Sequence, residues 1–440
     1  KLTVMSRLSL IVIALLMLAI VSNAQVTASL QGKIDQQAKE METKMIQWRR
    51  DFHQNPELSN REFKTAAKVA EHLKALGIEV QTGVAHTGVV GILKGGKPGP
   101  VIALRADMDA LPVTERNSLS FASKERTTFN GLETGVMHAC GHDAHVAILM
   151  SVAEVLANNK NDLRGTIKFI FQPAEEGAPA GEKGGAGLMV EEGVLNNPKV
   201  DVIFGLHVRS ITKLGIIEYR PRGFMAASDW FTIKVYGKQS HGSRPWLGID
   251  PIVVSSQIIA GLQTIVSRQT DLTQAAAVIS IGRINSGIRE NIIPETLEMS
   301  GTIRTFDPQM QKIIHEKINL TATNIAESAG ARAEVIIDKK MPVTFNNEKL
   351  TKQMVSSLKR AAGNDNVVEI PPDTGSEDFA FYVEKVPGMF FFVGACLPDV
   401  DPAKAPSHHT PDFMMDEGSM EVGLKAMLQL TLDYMYAPTK

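Results

Sequence analysis

The stretch Ile167-Lys168-Phe169-Ile170-Phe171-Gln172-Pro173-Ala174-Glu175-Glu176-Gly177 runs from a short apolar segment directly into two adjacent carboxylates. A run of that length bounded by proline and glycine reads as a buried strand. Its C-terminal end is where open α/β sheets bind their ligands. Adjacent residues of an extended chain point opposite ways, so one glutamate is expected to ligate a metal while its neighbour faces a substrate as general base. The plain alternative is a pair of solvated loop glutamates. Working outward, similar apolar runs occur at Val89–Leu93, Val101–Leu104, Val202–Leu206 and Gly215–Glu218, with helical patterns such as Val146–Leu156 between them. Helical spacing also marks Ile34–Phe52 and Phe63–Leu76, the latter stopped by Gly77. The alternation predicts an α/β fold, a mostly parallel mixed sheet flanked by helices.

The texture changes after Pro221-Arg222-Gly223. Strand patterns at Trp230–Tyr236, Ala277–Ile284, Thr296–Thr305 and Val335–Ile337 alternate with helices at Pro251–Val266 and Gln309–Ala329. Strand-helix-strand-strand-helix-strand is the order of a ferredoxin-like α+β domain, expected as an insertion over residues 223–338. The catalytic layer, residues 25–222, resumes over 339–440 with the helix Lys349–Ala362, the strand Met389–Val393 and the helix Gly418–Tyr434. At the N-terminus, Lys1 and Arg7 precede the apolar run Leu8–Val21 and the small-residue pattern Ser22-Asn23-Ala24. This reads as a signal peptide, residues 1–24, shorter than the ~20 apolar residues of a membrane span. The expectation is an exported protein, periplasmic or secreted, with no membrane segment in its mature form. With 46 Lys and Arg against 48 Asp and Glu, and no basic block, the 440-residue chain offers no footprint for nucleic acid.

The segment Met137-His138-Ala139-Cys140-Gly141-His142-Asp143-Ala144-His145 gathers a thiol, three imidazoles and a carboxylate beside a glycine. That density reads as metal binding, against the alternative of a histidine-rich helix start capped by Asp143. His207 follows the run Val202–Leu206, and His409 lies in Ser407-His408-His409-Thr410-Pro411. Either alone is more often a structural residue; the case rests on the set. Cys140 and Cys396 are the two cysteines, and a bridge between them is the plain expectation for an exported chain.

Seven motifs occur in order: Asp107-Met108-Asp109-Ala110-Leu111-Pro112, Cys140-Gly141-His142-Asp143, Gln172 to Gly177, Gly205-Leu206-His207, Gln239-Ser240-His241-Gly242, Asn291-Ile292-Ile293-Pro294 and His409-Thr410-Pro411. Over about residues 40 to 435 the chain resembles the aminoacylase and carboxypeptidase G family of dinuclear metallopeptidases. It is most similar to the branch of hippurate hydrolases, N-acyl-amino-acid amidohydrolases and auxin-conjugate hydrolases. The resemblance implies that Cys140 bridges two divalent metal ions, with His142 and His207 completing one site and Glu176 and His409 the other. It implies Glu175 as general base, Asp109 as the carboxylate that orients a ligand imidazole, and His241, typically from a partner subunit, as the group that stabilises the oxyanion. Asn291 and Arg304 resemble the pair that grips the substrate carboxylate. A thiolate bridge favours zinc, cobalt or nickel on hard-soft grounds, while relatives often use manganese. It also implies that Cys396 is unpaired. The implied reaction is cleavage of N-acyl or N-aroyl amino acids, small molecules, to a carboxylic acid and a free amino acid, by a homodimer formed through the inserted lid domain. The alternatives are a metallo-carboxypeptidase or dipeptidase using the same site, and a non-catalytic binding protein, which would have no use for a base beside bridged metals.

Overall fold

The computed structural model describes residues 26–437; the expected signal peptide lies outside them. The chain forms two compact units, one comprising the described residues up to Tyr219, Lys349–Glu369 and the chain from Val386, the other Arg220–Glu348 and Ile370–Lys385.

The first unit is built on an eight-stranded mixed sheet. Its spatial order is Glu79–Val84, Gly88–Lys94, Arg164–Gln172, Lys97–Asp107, Val202–Lys213, Gly388–Cys396, Ile217–Tyr219 and Val367–Glu369. The four central strands run parallel, with antiparallel neighbours toward both edges. Arg164–Gln172 shows no in-out alternation because its second half is wholly buried, as expected for a parallel strand covered on both faces. Even Lys168 is buried there, its ammonium held by the carbonyls of Val194 and Pro198 at 2.8 and 3.0 Å. Burial lowers its pKa to about 8. The helix His142–Asn158 is buried along nearly its whole length, packed against Glu42–Gln54 and Gly418–Tyr436. The pattern Ile34–Phe52 spans two helices, Ala28–Glu40 and Glu42–Gln54, parted at Met41. His207 does not end its strand; hydrogen bonding carries Val202–Lys213 past it, opposite Phe392.

The second unit has a four-stranded antiparallel sheet, Ala277–Ser286, Thr296–Thr305, Ala227–Tyr236 and Arg332–Met341 in spatial order. The helices Pro251–Gln269 and Pro308–Ser328 pack on it around Phe231, Ile233, Ile258, Leu262, Ile314 and Ile318. This is ferredoxin-like topology. Its bounds are wider than residues 223–338, because Thr344–Asn346 returns to pair with Arg222–Met225 and the Asp373 amide donates to the Phe224 carbonyl at 2.9 Å.

Candidate metal centre

Cys140, Gly141 and His142 form the tight entry to the long buried helix. Gly141 sits at φ 95°, and a Cβ on it would lie 2.3 Å from the Val208 Cγ2 atom, so the turn requires glycine. The turn sends Cys140 and His142 into one space. There the Cys140 sulfur lies 3.4 Å from His207 Nε2 and 3.3 Å from His409 Nε2. His409 Nε2 is 3.0 Å from Glu176 Oε1. His142 Nε2 lies 3.9 Å from the carboxylates of both Glu175 and Glu176.

The two glutamates thus do not diverge as an extended pair would. The chain turns there, with Ala174 at φ 53° and Gly177 at φ 110°. The Asp109 carboxylate accepts the backbone N–H of Glu175 and of Glu176, at 3.1 and 3.0 Å, and the Ser59 hydroxyl at 2.7 Å. One carboxylate therefore holds both backbones, and the two side chains face His142 together. The His142 ring is held by the Asp109 carbonyl at 2.8 Å, nearer than the Asp109 carboxylate at 3.4 Å.

Ring tautomers follow from the acceptors around them. His142 Nδ1 donates to the Asp109 carbonyl and His207 Nδ1 to the Val208 carbonyl at 2.6 Å. Each leaves Nε2 toward the shared space. Among the described residues His142 Nε2 is buried there without a hydrogen-bond partner. Although burial opposes it, the carboxylates of Asp107 and Asp109 raise His142 to about 10. Burial, with the Glu176 and Glu175 charges, holds the Cys140 thiol well above its usual range. A pocket that draws positive charge to a histidine and resists a bare thiolate is one that a cation would complete. One sulfur, three imidazole nitrogens and a carboxylate fit a divalent cation of borderline character; Cys140 groups with His142 and Glu176, and also with His207 and His408.

His408, although grouped with Cys140 and His207, has both ring nitrogens engaged by backbone groups. Its Nε2 accepts the Ser210 N–H and its Nδ1 donates to the Cys140 carbonyl, both at 3.2 Å, leaving His409 to face the sulfur. Asp143 does not cap the helix; it pairs with Arg49 and His53, both at 2.9 Å. His138 is buried with neither ring nitrogen hydrogen-bonded, and burial lowers it to about 4. Cys140 and Cys396 are both free.

Three supports went unread in the sequence. His145 Nδ1 donates to Asp107 at 2.6 Å and its Nε2 accepts the Val208 N–H at 2.9 Å, which locks the strand beside His207. The available signal was spacing: His142 and His145 share a helix face. Glu62, which has no such signal, accepts the N–H groups of Asn60 and Ala174 at 3.0 and 2.9 Å beneath the glutamate turn.

His241, Asn291 and Arg304 belong to the second unit. The His241 ring accepts the Ser243 N–H at Nδ1, 3.0 Å, which places its proton on Nε2. Asn291 adjoins it, its carbonyl accepting the Gly242 N–H at 2.9 Å. Arg304, however, is not brought to them. His241 pairs with Ile292 beyond the Thr296 end of the strand Thr296–Thr305, while Arg304 lies near the other end. At roughly 3.3 Å per residue the strand holds the two places about 25 Å apart. The two residues that the family resemblance pairs are thus held apart within one chain by the strand between them.

Residues 103–433 match the peptidase family M20/M25/M40. The chain is 42% identical over 410 residues to a thermostable carboxypeptidase of Saccharolobus solfataricus, covering 91% of this chain and 98% of that protein. It is 36% identical over 416 residues to an IAA-amino acid hydrolase of Arabidopsis thaliana, covering 94% and 90%. A solved dinuclear metal binding peptidase of the M20 family from Bacillus subtilis is similar at a TM-score of 0.74 and 36% identity, over 90% of this chain and 99% of that one. These findings correct the expected export. The Leu8–Val21 run lies outside the described residues, and nothing in them or in the matches shows a signal peptide, so a short apolar run does not by itself carry a location. No helix among the described residues is long and apolar enough to cross a membrane.

Proposed function

The chain belongs to the peptidase family M20/M25/M40, and from that premise we propose that it is a metal-dependent amidohydrolase of N-acyl amino acids whose residues divide the work as follows. The observation that carries the reading is the Glu175 carboxylate beside a ring of five donors, Cys140, His142, Glu176, His207 and His409. Those five would hold the divalent ions of the site. The soft sulfur favours zinc, cobalt or nickel, with manganese the competing choice. When bound, the ions supply Lewis acidity to a water molecule and to the acyl carbonyl.

Glu175 takes a proton from the attacking water and delivers it to the leaving nitrogen as the carbon–nitrogen bond breaks. The products are a carboxylic acid and a free amino acid. Asp109 fixes the Glu175 backbone and so the reach of its carboxylate. The Nε2–H of His241 is a donor suited to the oxyanion, and the Arg304 guanidinium to the substrate carboxylate. His241 lies beyond one end of the strand Thr296–Thr305 and Arg304 near its other end, which supports a homodimer in which two subunits contribute these two groups to one substrate.

Glu175→Gln is expected to bind zinc with unchanged stoichiometry while kcat falls by about 10²–10⁴-fold. Near-normal turnover in that variant would remove Glu175 as the base. The similarity to a carboxypeptidase favours one second reading, peptide cleavage at the same site. Amino-acid release from N-acyl amino acids and from dipeptides, each with chelator and with metal restored, separates the two.

A further inference from the structure

Beside Glu176, within the first unit, lies a cavity of about 320 Å³. Ala110, Leu111, Pro112 and Phe129 give it an apolar wall. The wall is tied to the candidate metal centre: Ala110 follows Asp109 directly, and Leu111 exchanges backbone hydrogen bonds with Met137 at 3.0 Å in both directions. Phe129 comes from a hairpin, Arg126–Phe129 against Leu132–Gly135. Its turn residues Asn130 and Gly131 both have positive φ, 51° and 80°, as a tight two-residue hairpin turn requires. Thr134 anchors the hairpin to the Pro112 carbonyl at 3.1 Å, and Thr114 accepts the Gly135 N–H at 2.9 Å.

Charge decides which half of an N-acyl amino acid this cavity admits. The lining cation, Arg61, is already engaged by both Glu182 oxygens, at 2.5 and 3.1 Å, and by the Asn60 carbonyl at 2.9 Å. The amino-acid half, which carries the carboxylate, finds no free positive charge here; the uncharged acyl half finds an apolar wall. At the ~30 Å³ that a water occupies in the liquid, the space suits roughly ten non-hydrogen atoms.

Building on the amidohydrolase reading, we infer that this hairpin pocket receives the acyl group and sets its size, with Phe129 as the determinant of preference. Acyl groups of phenylacetyl size fill it, acetyl leaves it mostly empty, and a dodecanoyl chain exceeds it. Phe129 is 36% exposed, and its aromatic face gains an apolar partner when the pocket is filled.

The test is a series on the metal-loaded full chain with one amino acid acylated by acetyl, hexanoyl, phenylacetyl and dodecanoyl groups. The kcat/KM is expected to rise about 10–100-fold from acetyl to phenylacetyl and to rise no further at dodecanoyl. Phe129→Ala should lower the phenylacetyl-to-acetyl ratio about tenfold, and Thr127→Phe, which fills the same space from the neighbouring strand position, should lower it as well. A preference for acetyl, or a ratio untouched by both variants, overturns the inference while leaving the amidohydrolase reading intact. If no acyl amino acid is cleaved, that reading fails instead. Calorimetry then decides the pocket alone: phenylacetate should bind at least tenfold more tightly than acetate, and less tightly to Phe129→Ala, and equal binding overturns the inference.

Discussion

At the scale of single residues, the site depends on groups that never face the substrate. Glu62 is buried under the turn that carries Glu175, its carboxylate accepting the N–H groups of Asn60 and Ala174 and the Thr87 hydroxyl. Burial, with the Asp109 charge nearby, raises its pKa from 4.5 to about 7. Between those values the folded chain keeps a proton that the unfolded chain has released, so stability falls as pH rises through that window and levels above it. Glu62→Gln keeps both N–H contacts, and the Thr87 hydroxyl can turn to accept the amide. The difference in urea-unfolding free energy between pH 5 and pH 8 is expected to be smaller in the variant, by on the order of 2 kcal/mol. An equal pH slope in the two proteins would show that Glu62 titrates normally.

At the scale of elements, local signals and tertiary packing share the work differently in the two units. The helix Pro308–Ser328 announces itself: Asp307 accepts the N–H groups of Gln309 and Met310 at 3.0 and 2.9 Å, with proline at the first helical position. Asp307→Ala should lower stability by about 1 kcal/mol, read as a lower denaturation midpoint of the second unit, and an unchanged midpoint would show that packing alone holds the helix start. The helix His142–Asn158 has no side-chain cap and starts from a left-handed glycine. What sets its start is the packing of Gly141 against Val208 and the buried Arg49–Asp143 pair. Its first residues could be recognised as chemical in the sequence, but not which way each would point.

At the scale of the whole molecule, all five candidate ligands lie in the first unit although Cys140 and His409 are far apart in the chain. A cation that binds only the folded arrangement stabilises that unit, by about 2.7 kcal/mol at a hundredfold excess over its dissociation constant. The three tryptophans allow the two units to be followed separately, Trp48 in the first and Trp230 and Trp246 in the second. Thermal unfolding watched through Trp48, in a chain carrying Trp230→Phe and Trp246→Phe, should shift upward on adding zinc after chelation. The transition watched in a Trp48→Phe chain should shift less. A zinc-independent Trp48 transition would mean that these donors hold no ion.

Hydropathy period was enough to indicate the α/β layer and the inserted ferredoxin-like order, while the five candidate donors were named through the family resemblance that the short motifs carry. Strands buried on both faces read as unbroken apolar runs, and clustered His, Cys and Glu residues stand out against a background of Leu and Val. Direction was a different matter. Adjacent Glu175 and Glu176 face the same way because the Asp109 carboxylate gathers both of their amides. His409 rather than His408 turns to the sulfur because two backbone groups claim His408. Asn291 and Arg304 stand apart because a strand, unlike a sequence interval, has a fixed length. Composition and spacing are properties of the chain, whereas these outcomes depend on which distant backbone N–H and C=O groups are left to be satisfied, and only the folded tertiary structure decides that.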